Sequence, residues 1–183
     1  MSQFEYLAVG VAMLISIAVA RMISGLPHSV GRERRYPLHY GWILVWLWGI
    51  VMSWWGIWNY RDLEWTFIRF LLFLSLSGPV LFIAYTLVPD DPERVGSWQD
   101  YFYKVRRRLF GASIVFYLLL LLSQSVLEFI PILDVRRVAP VLLLVAGIVG
   151  FASPNPRVQG VVLGGNVAVF IALFASIAMT FAV

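Results

Sequence analysis

The sequence predicts an all-α, polytopic membrane protein: a bundle of six transmembrane helices with a short interfacial amphipathic helix in the third loop. Two observations carry this prediction. First, 61% of the 183 residues are hydrophobic, 13% are charged, and the mean hydropathy is +0.83, whereas soluble domains are about 45–50% apolar and about 25% charged. Second, the apolar residues fall in runs long enough to cross about 30 Å of hydrocarbon as helices. Lipid must therefore solvate much of the surface.

Six segments have the length and composition of membrane spans. Their predicted bounds are 5–24, 41–59, 66–88, 109–130, 137–153 and 160–182, with the interfacial helix at 97–108. The connections are short and contain the turn-forming residues Pro, Gly, Asn and Asp. We therefore expect residues 1–183 to form a single transmembrane domain.

The distribution of basic residues predicts the orientation. Ten of the fourteen lie in or beside the first, third and fifth loops: Arg21, Arg32, Arg34, Arg35, Arg94, Lys104, Arg106, Arg107, Arg108 and Arg157. Four lie beside the second and fourth loops: Arg61, Arg69, Arg136 and Arg137. Loops rich in Lys and Arg stay in the cytoplasm. We expect a multi-pass protein of the inner (plasma) membrane with both termini outside.

Small residues recur at every fourth position of the first and sixth spans. The first span carries Ala12 and Ser16 in this register, and the sixth carries Gly160, Gly164 and Ala168. Such spacing lets helix backbones approach closely in a membrane. The two spans run antiparallel, so these helix-packing faces suit contact with each other and equally contact between subunits.

The second span, "GWILVWLWGIVMSWWGIWNY", holds six of the eight tryptophans. At 100° per residue they fall on three faces of the helix, so they cannot all line one pocket. Trp48 and Trp55, one heptad apart and deep in the span, are the predicted ligand or lipid contacts. Gly49, Ser53 and Gly56 form a small-residue face on which we expect another helix to pack.

A polar layer is predicted near the middle of the membrane. Ser75, Ser77 and Pro79 lie in "SLSGPV" of the third span, and Gln124 lies at a comparable depth in the fourth. Proline removes a backbone hydrogen bond, so a break is expected here. The layer has two interpretations: hydrogen bonds between helices, or part of a permeation route.

Arg69 and Glu128 are ionisable residues about one turn inside the third and fourth spans, and their depths match. Ionisable groups in a membrane usually pair or line water. We predict that they form an outer ion pair. The alternative is that each side chain reaches the lipid headgroups separately. The predicted outer charged layer is completed by Glu5, Arg61, Asp62 and Glu64.

The third loop contains the amphipathic segment "SWQDYFYKVRRRLF". Its apolar residues fall at helical spacing, and its basic residues fall largely on another face, as in helices that lie on an anionic leaflet. The predicted lipid-headgroup contacts are Lys104, Arg106, Arg107 and Arg108.

The chain lacks the residues that several kinds of chemistry require. It has no cysteine, which excludes disulfides, thiol catalysis and cysteine-ligated metals. His28 and His39 stand eleven residues apart, which is not a metal-ligand spacing. Phosphate-loop, dinucleotide-binding and hydrolase motifs are missing. We expect no catalytic residues, no metal, no cofactor and no nucleic-acid partner.

Two functional hypotheses follow. The first is an oligomeric channel or small-solute transporter, based on the broken third span, the polar layer and the close-packing faces. The alternative is a non-enzymatic binding or interaction subunit that holds a lipid-like ligand or a partner protein, based on the Trp-rich span and the basic third loop. The expected partners are membrane lipids and further copies of the chain. The sequence does not name a substrate or ion.

Overall fold

The computed structural model describes residues 3–30 and 36–180, and its regular structure in those ranges is entirely helical. Six helical segments are long and apolar enough to cross a membrane. The predicted six-helix bundle of a multi-pass membrane protein is confirmed. Arg32, Arg34 and Arg35, on which part of the predicted orientation depends, lie outside the described residues.

The helices are α1 (Gln3–Val30), α2 (Pro37–Ile57), α3 (Phe67–Ser75), α4 (Ser77–Leu87), α5 (Trp98–Val126), α6 (Val138–Ala152) and α7 (Pro156–Thr180). Helices α3 and α4 together form the third span, which is interrupted at Leu76. Pro79 lies three residues later and has no N–H to donate to the carbonyl of Ser75. The interruption therefore falls where the proline predicts it.

The spans form a closed ring in the order α1, α2, α7, α6, α5, α4, and α2 also contacts α4 and α5 across the ring. The Trp42 and Trp46 face of α2 is buried in this core. The ring of Trp42 lies 5.0 Å from that of Phe110, and the ring of Trp46 lies 5.4 Å from that of Phe116. One of the three tryptophan faces is thus the packing face of the bundle.

Of the two alternatives for the small-residue faces, contact between the first and sixth spans within one chain is not what the structure shows, and contact between subunits remains a prediction. Helix α2 lies between α1 and α7 in the ring. Ser16, Gly164 and Ala168 are exposed, and Ala12 and Gly160 are half-buried. The physical reason is that larger side chains of α7 fill the contact with α2, which leaves its small residues facing outward.

The contact between α2 and α7 is close because α2 has glycine at two positions. A Cβ atom at Gly41 would lie 2.7 Å from Cδ2 of Leu163, and one at Gly49 would lie 3.1 Å from Cζ of Phe170. The helix expected on the small-residue face of the second span is therefore α7 at Gly49. A Cβ at Gly56 would meet no atom within 4 Å.

The structure differs from the prediction of a separate interfacial helix at 97–108. Those residues begin α5, which runs unbroken to Val126. The Ser97 hydroxyl accepts a hydrogen bond from the Asp100 N–H (3.2 Å) and so caps the helix. Trp98 and Phe102 are buried, and Trp98 stacks on His39 at 4.7 Å. The apolar face is covered by protein, so it has no need to lie on lipid.

Candidate functional site

A cleft of about 520 Å³ lies at the end of the bundle that holds the α2–α3 and α5–α6 connections. We call this the cleft end, and the opposite end, with the α4–α5 and α6–α7 connections, the basic end. The cleft is lined by Asn59, Tyr60, Asp62, Leu63, Leu127, Glu128 and Arg136. Asp62 and Glu128 belong to the charged layer that the sequence predicts at this end.

The ends of α2 and α5 position the cleft residues. Helix α2 passes into a single 3-10 turn, Trp58–Tyr60, which brings Tyr60 into the core beside Phe73 with ring centroids 5.6 Å apart. Helix α5 ends just before Glu128, and the next residue, Phe129, has a φ of 54°. This left-handed conformation is unfavourable for a bulky residue. The strained reversal directly follows the carboxylate of the cleft.

Glu128 is held by a tyrosine. The hydroxyl of buried Tyr60 donates a hydrogen bond to Oε1 of Glu128 at 2.6 Å. Among the described residues, no Lys, Arg or His lies within ion-pair distance of this half-buried carboxylate. Glu128 therefore presents a negative charge to the cleft that the protein itself does not neutralise by direct contact.

The predicted Arg69–Glu128 ion pair is corrected. The Arg69 guanidinium instead donates to the backbone carbonyl of Glu64 (2.5 Å) and lies 5.4 Å from the ring centroid of Phe129. Arg69 is in the first turn of α3, directly above the loop that precedes the helix, so the loop carbonyl is within reach. The Tyr60 hydroxyl takes the position beside Glu128. The two residues share a depth but have different partners.

Arg136 contributes the positive charge of the cleft, but a neighbouring carboxylate already binds it. Asp134 accepts from Nε and Nη2 of Arg136, each at 2.9 Å, and also from the Arg136 N–H at 2.8 Å. These hydrogen bonds lower the pKa of the Asp134 carboxyl from 3.8 to about 2. Asp62 likewise has Arg61 at 3.1 Å, so the charge left for a ligand to complement comes from Glu128.

The side chains of the predicted polar layer do not join into one hydrogen-bonded network in the described part of the chain. Ser75 Oγ donates to the carbonyl of Leu72 (2.6 Å), and Gln124 Nε2 lies 3.5 Å from the carbonyl of Arg136. Ser77 Oγ and Gln124 Oε1 are buried without a hydrogen-bond partner among the described residues. No hydrogen bond of the described part joins the serines to Gln124. The layer consists of separate polar groups, two of which have an unsatisfied oxygen.

Trp48 and Trp55 lie on the outer surface of the bundle, with 46% and 58% of their surface exposed. The ring of Trp48 packs edge-on against Phe174 of α7 at 5.9 Å. The two rings therefore face the region that lipid would occupy rather than an internal cavity. Contact with a lipid or a lipid-like ligand remains a prediction.

Arg106 is not a headgroup ligand, in contrast to the prediction. Its side chain is buried, and Nη1 donates to the carbonyls of Gly150, Phe151 and Ser153 at 2.5–3.0 Å. These carbonyls end α6, where the helix leaves its acceptors without partners. Lys104, Arg107 and Arg108 are exposed, as headgroup contacts must be.

Two further arginine contacts could not be predicted from the sequence. Arg137 is buried and donates to the carbonyls of Leu121, Ile130 and Pro131 around the end of α5. Arg21 donates to the carbonyl of Val88 at the end of α4. Arg137 directly precedes α6, whereas Arg21 lies well inside α1, so their positions in the sequence share no signal, and the carbonyls that each reaches depend on the tertiary fold.

No known protein family, curated protein or solved structure matches the chain. Within the described ranges, no three His, Asp or Glu side chains converge as metal ligands would.

Proposed function

We propose that the protein is an oligomeric channel or small-solute transporter of the inner membrane, and that the cleft is its outer opening. The observation that carries the proposal is the cleft itself, in which polar and charged side chains surround about 520 Å³ at one end of an apolar bundle. Ionisable groups that extend into a membrane usually line water or the path of a solute. The first turn of α1 and the last turn of α7, which lie at the cleft end, would then be on the outer side.

The charge of the cleft supports a preference for cations or zwitterions over anions. Glu128 has no ion-pair partner in the described part of the chain, and Asp62 has only the exposed Arg61, at 3.1 Å. Arg136 is bound by Asp134, which lowers its attraction for an anionic solute. The field at the opening is therefore negative, and such a field raises the local concentration of cations.

Two further features support passage through an assembly. The unsatisfied oxygens of Ser77 and Gln124 would be satisfied by water or solute below the cleft. The exposed small residues of α7, among them Gly164 and Ala168, suit close contact between subunits. Because side chains of α2 also contact α4 and α5 across the ring and so fill the space inside each bundle, a route along the symmetry axis of a cyclic oligomer is favoured.

Ion conductance of the purified protein in planar bilayers tests this function. With a KCl gradient, we expect a reversal potential that indicates preference for K⁺ over Cl⁻. Glu128→Gln should reduce the permeability ratio about fivefold, the effect of one nearby charge in a solvated opening. The matched control is Glu64→Gln, because Glu64 is exposed at the same end but does not line the cleft. Silent bilayers, together with no uptake of small solutes by proteoliposomes, would contradict the proposal.

A binding or interaction subunit is the second candidate, and the exposure of Trp48 and Trp55 is the observation that favours it. If this function is correct, a lipid-like molecule should co-purify with the protein, and Trp48→Leu combined with Trp55→Leu should remove it. Trp54→Leu is the control, because Trp54 is equally exposed on another face of α2. Retention of the molecule by the double variant would exclude this binding site.

A further inference from the structure

We propose that the basic end carries a binding site for the phosphate group of an anionic phospholipid, formed by Lys104, Arg107 and Arg108 of α5. The three side chains are exposed, and positions 104, 107 and 108 fall within an arc of about 100° on the helix. They therefore present three positive charges to one side of the bundle. This site is at the opposite end from the cleft and is independent of the proposed function.

Ion pairing at the basic end leaves the charges of these three residues unpaired. Arg21 lies 2.5 Å from Asp90, and Arg94 lies 2.7 Å from Asp91, so these two arginines already have carboxylate partners. Arg157 is also exposed without an ion pair in the described ranges, but it lies on α7 and is not part of the cluster on α5. In the described ranges, 3–30 and 36–180, Lys104, Arg107 and Arg108 form no ion pair with any carboxylate. Their charge is left for an anion from outside the chain.

The surroundings fit a lipid better than a free anion. The guanidinium of Arg107 lies 5.9 Å from the ring centroid of Phe151, at the end of α6. From this point, exposed apolar side chains, including Phe151 and Ile148, continue along α6 into the membrane-spanning region. A phosphate bound by the guanidinium groups would therefore have a surface for its acyl chains directly beside it.

Arg106 fixes this arrangement without binding the lipid itself. Arg106 directly precedes Arg107 on α5, and its guanidinium donates hydrogen bonds to the carbonyls of Gly150 and Phe151 at the end of α6. These bonds attach the end of α6 to α5 and hold Phe151 next to the basic side chains. Gln159 of α7 donates to the carbonyls of Gly150 and Ser153 and secures the same turn. The basic side chains thus project from a rigid junction of three helices.

Native mass spectrometry of the full chain, titrated with phosphatidylglycerol or with phosphatidylcholine, tests the site. Replacing all three residues by Gln (K104Q, R107Q, R108Q) should weaken phosphatidylglycerol binding about tenfold or more and leave phosphatidylcholine binding unchanged. The matched control is R61Q with R94Q and R136Q. It removes the same net charge from arginines that each have an aspartate partner, and it should retain binding within about twofold.

Two further arms keep the test decisive. R107K with R108K preserves the charge and should retain most of the binding, while a thermal unfolding curve checks that each variant is folded. Millimolar inorganic phosphate should not displace the lipid, because it lacks acyl chains. Unchanged phosphatidylglycerol affinity in the Gln variant, equal loss in the control, or displacement by inorganic phosphate would each overturn the proposal.

Discussion

Buried or half-buried arginines donate hydrogen bonds to backbone carbonyl oxygens near the helix ends. Arg21 bonds to Val88, directly after α4, and Arg106 bonds to the last carbonyls of α6. Arg137 bonds to Leu121 within α5 and to Ile130 and Pro131 in the connection that follows it. The last carbonyls of a helix have no partner within the helix and carry partial negative charge. A guanidinium has five donors and remains charged, so a single side chain satisfies several of these acceptors. In a membrane, where water is not available to bond these carbonyls, the arginine hydrogen bonds become important for stability.

Arg106→Met should destabilise the protein by about 3 kcal/mol, because it leaves buried carbonyls without a charged donor. For a chain of this size, the midpoint of thermal unfolding in detergent should fall by about 6–12 °C. Arg107→Met is the matched control, since Arg107 is the exposed neighbour of Arg106 on the same helix, and its midpoint should hardly change. Equal shifts in the two variants would show that the contacts with α6 are not what stabilises the bundle.

The lowered pKa of the Asp134 carboxyl predicts how the stability of the folded protein changes in acid. Because Arg136 lowers the pKa of this carboxyl to about 2 in the folded protein, the pair stabilises the fold above the ordinary aspartate pKa of about 4. That contribution is lost as the pH falls from about 4 to about 2. The midpoint of wild-type unfolding should exceed that of Asp134→Asn at pH 6, and the difference should vanish near pH 2. A constant difference across this interval would contradict the assignment.

The acidic residues of the cleft could be identified from the sequence, but the residues that contact them could not. Asp62 and Glu128 were recognisable because carboxylates are rare in and beside apolar spans. Tyr60 and Arg136 were not, since either side chain suits a membrane interface equally well. The Arg69–Glu128 pairing failed because matching depth does not determine which helix surfaces face each other. That choice depends on packing across the whole ring.

At the element scale, two glycines set the distance between neighbouring helices. A Cβ at Gly150 of α6 would lie 2.5 Å from Cε1 and Cζ of Phe110 on α5, and one at Gly25 of α1 would overlap Val88, the residue that follows α4. Close approach of backbones is how membrane helices gain packing contacts without a hydrophobic driving force.

Gly150→Ala should therefore destabilise the protein by about 1–3 kcal/mol through overpacking against a rigid ring. Gly160→Ala provides the comparison, because a Cβ there would meet no atom within 4 Å. It should be neutral or stabilise the helix by up to about 1 kcal/mol. Thermal unfolding of both variants in the same detergent measures the difference. If Gly150→Ala is as stable as Gly160→Ala, then α5 and α6 are not as close as described.

The spans were predictable from hydropathy, but the partners of their faces were not. Close packing on the small residues of α7 remains a prediction for contact between subunits, because α2 separates α7 from α1 within the chain. The 97–108 segment was correctly read as amphipathic. Its apolar side is covered by His39 and other residues of the bundle, which are far away in sequence. One-dimensional periodicity shows that a face needs a partner and does not identify the partner.

In the whole molecule, the acidic and basic side chains that could bind a ligand lie at opposite ends of the bundle. The cleft end carries carboxylates that face an open space, and the basic end carries unpaired cations beside an apolar surface. The predicted orientation, with the basic end in the cytoplasm, would direct the cleft to the outside. An outward-facing cleft of negative charge is what the proposed uptake of a cation or zwitterion requires.

Cysteine labelling in intact cells tests the outward-facing cleft most directly, because the chain has no cysteine of its own. Glu128→Cys places a thiol in the cleft, and Leu122→Cys places one on the exposed, lipid-facing side of α5, the helix that ends just before Glu128. A membrane-impermeant maleimide added outside should label the thiol at position 128 rapidly and the thiol at 122 hardly at all. Labelling at 128 that is as slow as at 122, or that requires permeabilised membranes, would contradict an outer opening at the cleft.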